Sequence, residues 1–144
     1  MSKVEDTRFL PEWRWPHFKP VEVLSPKGLL ELDRGCLLLQ PSALDLLENF
    51  RQAIDTPLIC NFGNNYLRGY RSIVENSQCG GSLLSRHIQG IAFDVHSTVM
   101  TLDELADAAR AYGWTGIGVY YVRHFVHLDC RTLLGNTIPV TWNG

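Results

Sequence analysis

The stretch Ser85-Arg86-His87-Ile88-Gln89-Gly90-Ile91-Ala92-Phe93-Asp94 sets two metal-competent side chains around a small-residue step, and the rest of the chain reads as built to complete that site. The third member lies late in the chain, at His127. Imidazole and carboxylate together suit a divalent zinc ion, and three such protein ligands leave a fourth position open for water, which is the mark of a catalytic centre. Gly90 lets the chain turn between His87 and Asp94, and the small Ala92 lets a neighbouring element approach closely. Taken alone, His87 also reads as an ordinary loop histidine and Asp94 as a turn or cap residue.

Working outward, Gly116 to Tyr121 and His124 to Asp129 are strand-like runs, with Val122-Arg123 available for a tight reversal between them. The strand period puts Phe125, His127 and Asp129 on one face and His124, Val126 and Leu128 on the other. A carboxylate two residues from a histidine ligand can orient its imidazole or move a proton; Asp129 can also simply pair with Arg131 at the surface. Between the two halves of the site, Thr101 and Glu104 make a capping box for a helix to Tyr112 with an apolar stripe of Leu102, Leu105 and Ala109, stopped by Gly113.

Upstream, Leu58-Ile59-Cys60-Asn61-Phe62 reads as a short strand broken by Gly63-Asn64-Asn65. Pro41-Ser42 opens a helix with Ser42 as N-cap, Asp45 near its positive end, and Leu44, Leu47 and Phe50 running toward Ile54 before Pro57. Phe18 to Gly28 reads as extended chain turning at Ser25-Pro26-Lys27-Gly28. Residues 1–17, with Pro11, Trp13, Trp15, Pro16 and His17, form an arm too proline-rich for a helix, whose tryptophans pack or stack on a sugar or partner. The organisation is therefore an arm, 1–17, and a single domain, 18–144.

The 144 residues, 45% of them hydrophobic, suffice for one domain with its own core. A formal charge of −2 and a pI near 6.2 give no electrostatic reason to expect nucleic acid, although the basic pair Arg68 and Arg71 could hold an anionic group. No apolar run reaches the roughly twenty residues that span a bilayer. The polar start, Met1 to Thr7, has no apolar segment behind it, so the expectation is a monomer made in the cytoplasm, with no membrane partner. Cys36, Cys60, Cys79 and Cys130 are scattered without a C-x-x-C pair, and no bridge is assigned.

Gly69-Tyr70-Arg71-Ser72, Gly80-Gly81, Ser85-x-His87-x-x-Gly90-x-Ala92-x-Asp94, Gly116-Ile117-Gly118-Val119-Tyr120 and Phe125-Val126-His127-x-Asp129 resemble, in that order, the motifs of the D-alanyl-D-alanine carboxypeptidase-like zinc peptidases. The resemblance covers Phe18 to about Arg131 and is closest to small domains of bacteriophage endolysins and bacterial wall-remodelling enzymes. It implies an α+β fold, a small antiparallel sheet with helices packed on one side and the metal at the sheet edge. It also implies zinc held by His87, Asp94 and His127, Arg71 polarising the scissile carbonyl, Ser85 and Tyr70 near the substrate, and hydrolysis of an amide in the peptide part of peptidoglycan.

Two departures stand out. Many relatives carry an acidic general base three positions before the last histidine ligand, where this chain has His124. The base is then Asp129, on the ligand face, or His124, which alternation turns away. Arg86 replaces a common glutamine. The missing acid also leaves open a non-catalytic, zinc-stabilised relative that binds a wall peptide or protein. A non-haem iron oxygenase shares two histidines and a carboxylate but gives the glycine and arginine motifs no role. Without an export signal, a peptidase of this kind meets the wall through lysis, a virion or a secretion device.

Overall fold

The computed structural model describes residues 12–61, 67–82, 85–135 and 138–144. Strands β1 (Ala92–Val95), β2 (Gly116–Tyr120), β3 (Phe125–Asp129) and β4 (Val140–Asn143) make one sheet in the order β1-β3-β2-β4. The strands β1, β3 and β2 are antiparallel, whereas β4 runs parallel to β2. The fold is α+β, with a mixed sheet in place of the wholly antiparallel one expected, because the chain after β3 crosses over before adding its last strand.

Register decides what the sheet displays. Asp94 pairs with His127, His127 with Gly118, and Gly118 with Trp142, so these residues form one row across a single face. The opposite face carries Phe93, Val95, Ile117, Val119, Val126 and Leu128, all buried in the core. Small residues in β2 make the first face possible. A Cβ on Gly116 would meet the Asp129 carboxylate at 2.2 Å, and one on Gly118 would meet the Trp142 ring at 2.4 Å.

Helices α3 (Pro41–Ile54) and α5 (Leu102–Tyr112) pack on the apolar face. The α5 capping box forms as expected, with Thr101 accepting from Glu104 N and Glu104 from Thr101 N, and Gly113 ends the helix at φ 116°. Just beyond it, Trp114 sets its ring edge-on to Phe50 of α3 and Phe93 of β1, at 6.0 and 6.2 Å between centroids, and so ties both layers together. From the arm, Trp15 joins the same core, and its indole N–H donates to Asp45 at 2.8 Å. Asp45 therefore anchors the arm and does not serve the helix dipole.

The amino-terminal third differs from its reading as extended chain. Short helices α1 (Pro20–Val23) and α2 (Pro26–Asp33) lie there, and Ser25, read as a turn residue, is the N-cap of α2 with Pro26 in its first turn. Serine followed by proline starts a helix as readily as a turn. Gly28, whose Cβ would meet Leu24 and Tyr70 at 3.0 Å, serves close packing. By the same logic Pro41 takes the first position of α3, which moves its N-cap from Ser42 to Gln40. The expected strand at 58–62 is reduced to one bridge between Ile59 and His96, and Phe62 and Gly63-Asn64-Asn65 lie outside the described residues. His124 belongs to the β2–β3 turn at φ 60°, not to β3.

No helix among the described residues is long and apolar enough to cross a membrane. Because the Trp142 ring lies directly on Gly118, Gly118→Val should push β4 off the sheet and cost about 1–3 kcal/mol. Urea unfolding and near-ultraviolet circular dichroism would read this, and unchanged stability with an unchanged tryptophan signal would contradict the packing.

Candidate metal centre

Three backbone devices aim the site. The loop before α4 (Ile73–Gln78) runs along the outer edge of β1, where Asp94 N donates to Arg68 O at 2.7 Å. Gly69 in that loop presses against Val23, whose carbonyl oxygen would lie 2.0 Å from a Cβ. Its own carbonyl accepts from His87 Nδ1 at 2.9 Å. Ser72 then caps α4 with Glu75, which leaves Arg71 projecting into the cleft. The turn before β1 is held by Ser85 Oγ, which accepts from His87 N at 3.1 Å, and by Gly90 at φ 74°, where a side chain would strike Leu38 O at 2.5 Å.

Those devices bring His87, Asp94 and His127 together, with one ligand atom of each within 4.8 Å of the others. All three are buried. Asp94 Oδ1 lies 3.2 Å from His87 Nε2 and 3.0 Å from His127 Nδ1. A tetrahedral ion with bonds of about 2.0–2.1 Å would separate its ligand atoms by about 3.3 Å, so the donor set fits such an ion. The protonation pattern agrees. His87 donates its Nδ1 proton to Gly69, and burial holds its pKa below the ordinary value despite nearby Asp94. Its neutral Nε2 therefore points a lone pair at a carboxylate oxygen, an arrangement that a cation between them relieves.

Asp129 is fully buried and lies behind His127, outside the cleft lining. Its Oδ2 is 2.7 Å from His127 Nε2, and an ionised carboxylate can only accept, so that nitrogen carries the proton and Nδ1 faces Asp94. Arg131 closes the arrangement, donating from Nε and Nη2 to the two Asp129 oxygens at 2.9 Å each and from its backbone N at 3.0 Å. Burial favours the neutral acid, but His127 and Arg131 hold Asp129 well below the usual carboxylate range. The Asp129–Arg131 pair foreseen as a surface link has its carboxylate fully buried, and Asp129 orients a ligand imidazole from behind.

An open cleft of about 390 Å³ lies in front of the trio. Arg71, Arg86, Arg123 and Arg131 line it, together with Ser85, Tyr120 and Trp142. Arg71 is half-buried, and its Nη1 donates to Cys79 Sγ at 2.6 Å. Three residues singled out from the sequence stand off this cleft: Asp129, behind His127, and Tyr70 and His124. Tyr70 is buried beside Leu24 and faces a separate groove with Ile73 and Val74, and His124 is exposed in its turn with its ring 5.5 Å from that of His96. Cys79, Tyr120 and Trp142 also line the cleft, none of them assigned a role there from the sequence, although Tyr120 closes the Gly116–Tyr120 motif. For Trp142 only the row Asp94-His127-Gly118-Trp142 could have shown this, and that row needs the parallel pairing of β4.

Fold and site together define an α+β domain built around a His-Asp-His group that could hold a metal ion. The family model described as Peptidase M15 matches residues 16–129, and the chain belongs to that family of D-alanyl-D-alanine carboxypeptidase-like zinc peptidases. No curated protein matches the chain.

Burial pulls the His127 pKa down, but hydrogen bonds to Asp129 and Asp94 raise it to about 9. A pKa raised above the unfolded value near 6.5 stabilises the fold below that pH, and the contribution is lost as pH rises through about 9. Metal binding at His127 Nδ1 must therefore expel a proton. Titration with zinc at pH 7, in buffers of differing ionisation enthalpy, should show release of about one proton per ion; no release would contradict the assignment. Asp129→Asn should also weaken metal binding by about 10–100-fold, whereas a residue that only shuttles protons would leave affinity unchanged.

Proposed function

We propose that this chain is a zinc-dependent hydrolase of an amide bond in the peptide part of peptidoglycan, acting as a carboxypeptidase or an endopeptidase. The observation that carries the proposal is the convergence of His87, Asp94 and His127 at the floor of an arginine-lined cleft. Zinc held by those residues supplies a Lewis acid and lowers the pKa of a bound water. The protein residues do the rest. Asp129 and Arg131 fix the His127 tautomer, and Gly69 O fixes that of His87.

Arg71 is placed to donate to the scissile carbonyl oxygen, where negative charge grows in the transition state. Arg86 and Arg123, at the cleft wall, suit the free carboxylates of a wall peptide. Ser85 both holds the His87 turn and offers its hydroxyl to a peptide group. Proton transfer through Asp129 is disfavoured, because both of its oxygens are engaged away from the cleft.

One feature favours a second reading. Among the described residues the cleft lining contains no carboxylate besides Asp94, and His124, at the usual base position, faces elsewhere. A zinc-stabilised module that binds wall peptide without cleaving it fits that feature. Digestion of purified wall material by the zinc-loaded chain, with identification of new amino and carboxyl termini, separates the two. The hydrolase reading expects new termini from one bond type and a loss of about 100–1,000-fold in kcat/KM for Arg71→Ala with zinc retained. No new termini would favour the binding module. The proposed setting is phage or prophage lysis or wall remodelling, with access to the wall through lysis machinery, a virion or a secretion device.

A further inference from the structure

We infer that the Tyr120 hydroxyl is a substrate-facing hydrogen-bond donor of this site and that Trp142, on the strand beyond the family match, is its positioning residue. The inference rests on the hydrolase reading above. Tyr120 and Trp142 form the cleft wall on the β2–β4 side, and the Trp142 ring lies 5.3 Å from that of His127. The indole Nε1 donates to the Tyr120 hydroxyl oxygen at 2.9 Å. An indole N–H can only donate, so the phenol must act as acceptor there and direct its own proton elsewhere. Among the described residues nothing accepts that proton, while Tyr120 lines a cleft that also holds Arg71.

Both rings are held rigidly, as a preorganised donor requires. Tyr120 stacks on Phe125 at 4.6 Å and 16°, and Gly144 comes so close that a Cβ would meet Tyr120 Cε1 at 2.0 Å. Gly144 N donates to Val119 O at 2.8 Å, which fixes that approach. The Trp142 ring packs against Gly118, with the Arg131 guanidinium 5.2 Å from its ring centre. The same indole thus covers the Arg131–Asp129–His127 chain and presents the phenol. An oxygen that gains negative charge during amide hydrolysis, or the carbonyl of a neighbouring peptide group, is the acceptor this hydroxyl suits.

The test uses the zinc-loaded full chain as wild type, Tyr120→Phe, Trp142→Phe and the double variant, all of which keep an aromatic ring in place. Metal content, turnover of wall peptide, and calorimetric binding of a phosphinate peptide, a tetrahedral mimic of the reacting amide, are measured for each. Tyr120→Phe should lower kcat/KM by about 10–100-fold and weaken phosphinate binding in parallel, with zinc content unchanged. Trp142→Phe should do the same to a smaller degree, and the double variant should be no worse than Tyr120→Phe, because the indole acts through the phenol. An active wild type with Tyr120→Phe unimpaired, or additive losses in the double variant, would overturn this inference alone. A wild type that neither cleaves wall peptide nor binds the phosphinate would overturn the hydrolase reading and this inference with it.

Discussion

Asp94 Oδ1 sits within 3.2 Å of one imidazole nitrogen and 3.0 Å of another, and most of the architecture serves to hold it there. Burial alone would protonate such a carboxylate, yet His87 and His127, both cations at the acid pH where it would take up its proton, hold it far below the ordinary range. Burying a charge is tolerable only when its partners are equally fixed. His87 is fixed by Gly69 O, and His127 by Asp129, which is in turn gripped by Arg131. A polar network of this kind, closed on every side but the cleft, leaves its unsatisfied capacity where a ligand enters.

The glycines follow from the same constraint. Gly69 must pass against the Val23 carbonyl to bring its own carbonyl to His87, and Gly116 must yield its side-chain space to the Asp129 carboxylate. Gly118 yields its space to Trp142 in the same way. These positions are small because polar groups and a large ring occupy the volume that side chains would take. The apolar face of the sheet shows the opposite logic, with Phe93, Ile117, Val126 and Leu128 buried against α3, α5 and the bridging Trp114.

Much of this was legible in the chain itself, and the failures have physical causes. Thr101 with Glu104 and the terminal Gly113 marked α5 because caps are local, and the alternation Phe125-Val126-His127-Leu128-Asp129 marked β3 and its ligand face because strand period is local too. Ser25-Pro26 misled, since the same dipeptide opens turns and helices and only the packing of Gly28 against Leu24 and Tyr70 decides. β4 was invisible: a parallel partner has no hairpin signal, and its short run around Pro139 has no strong alternation. With β4 hidden, Trp142 could not be placed at the site. Tyr70 and Arg71 were both assigned to the substrate, and it is the bridge from Leu24 to Tyr70, a tertiary contact with no local signal, that turns Tyr70 away and leaves Arg71 to the cleft.

We propose that His87, Asp94 and His127 hold one zinc ion between them. Anomalous diffraction from crystals of the purified chain, collected on both sides of the zinc absorption edge, tests it directly. A single strong zinc peak bounded by His87 Nε2, Asp94 Oδ1 and His127 Nδ1 is expected, with Asp129 outside the coordination sphere. A zinc peak elsewhere, a different metal at this position in zinc-replete protein, or Asp129 as a direct ligand would contradict it.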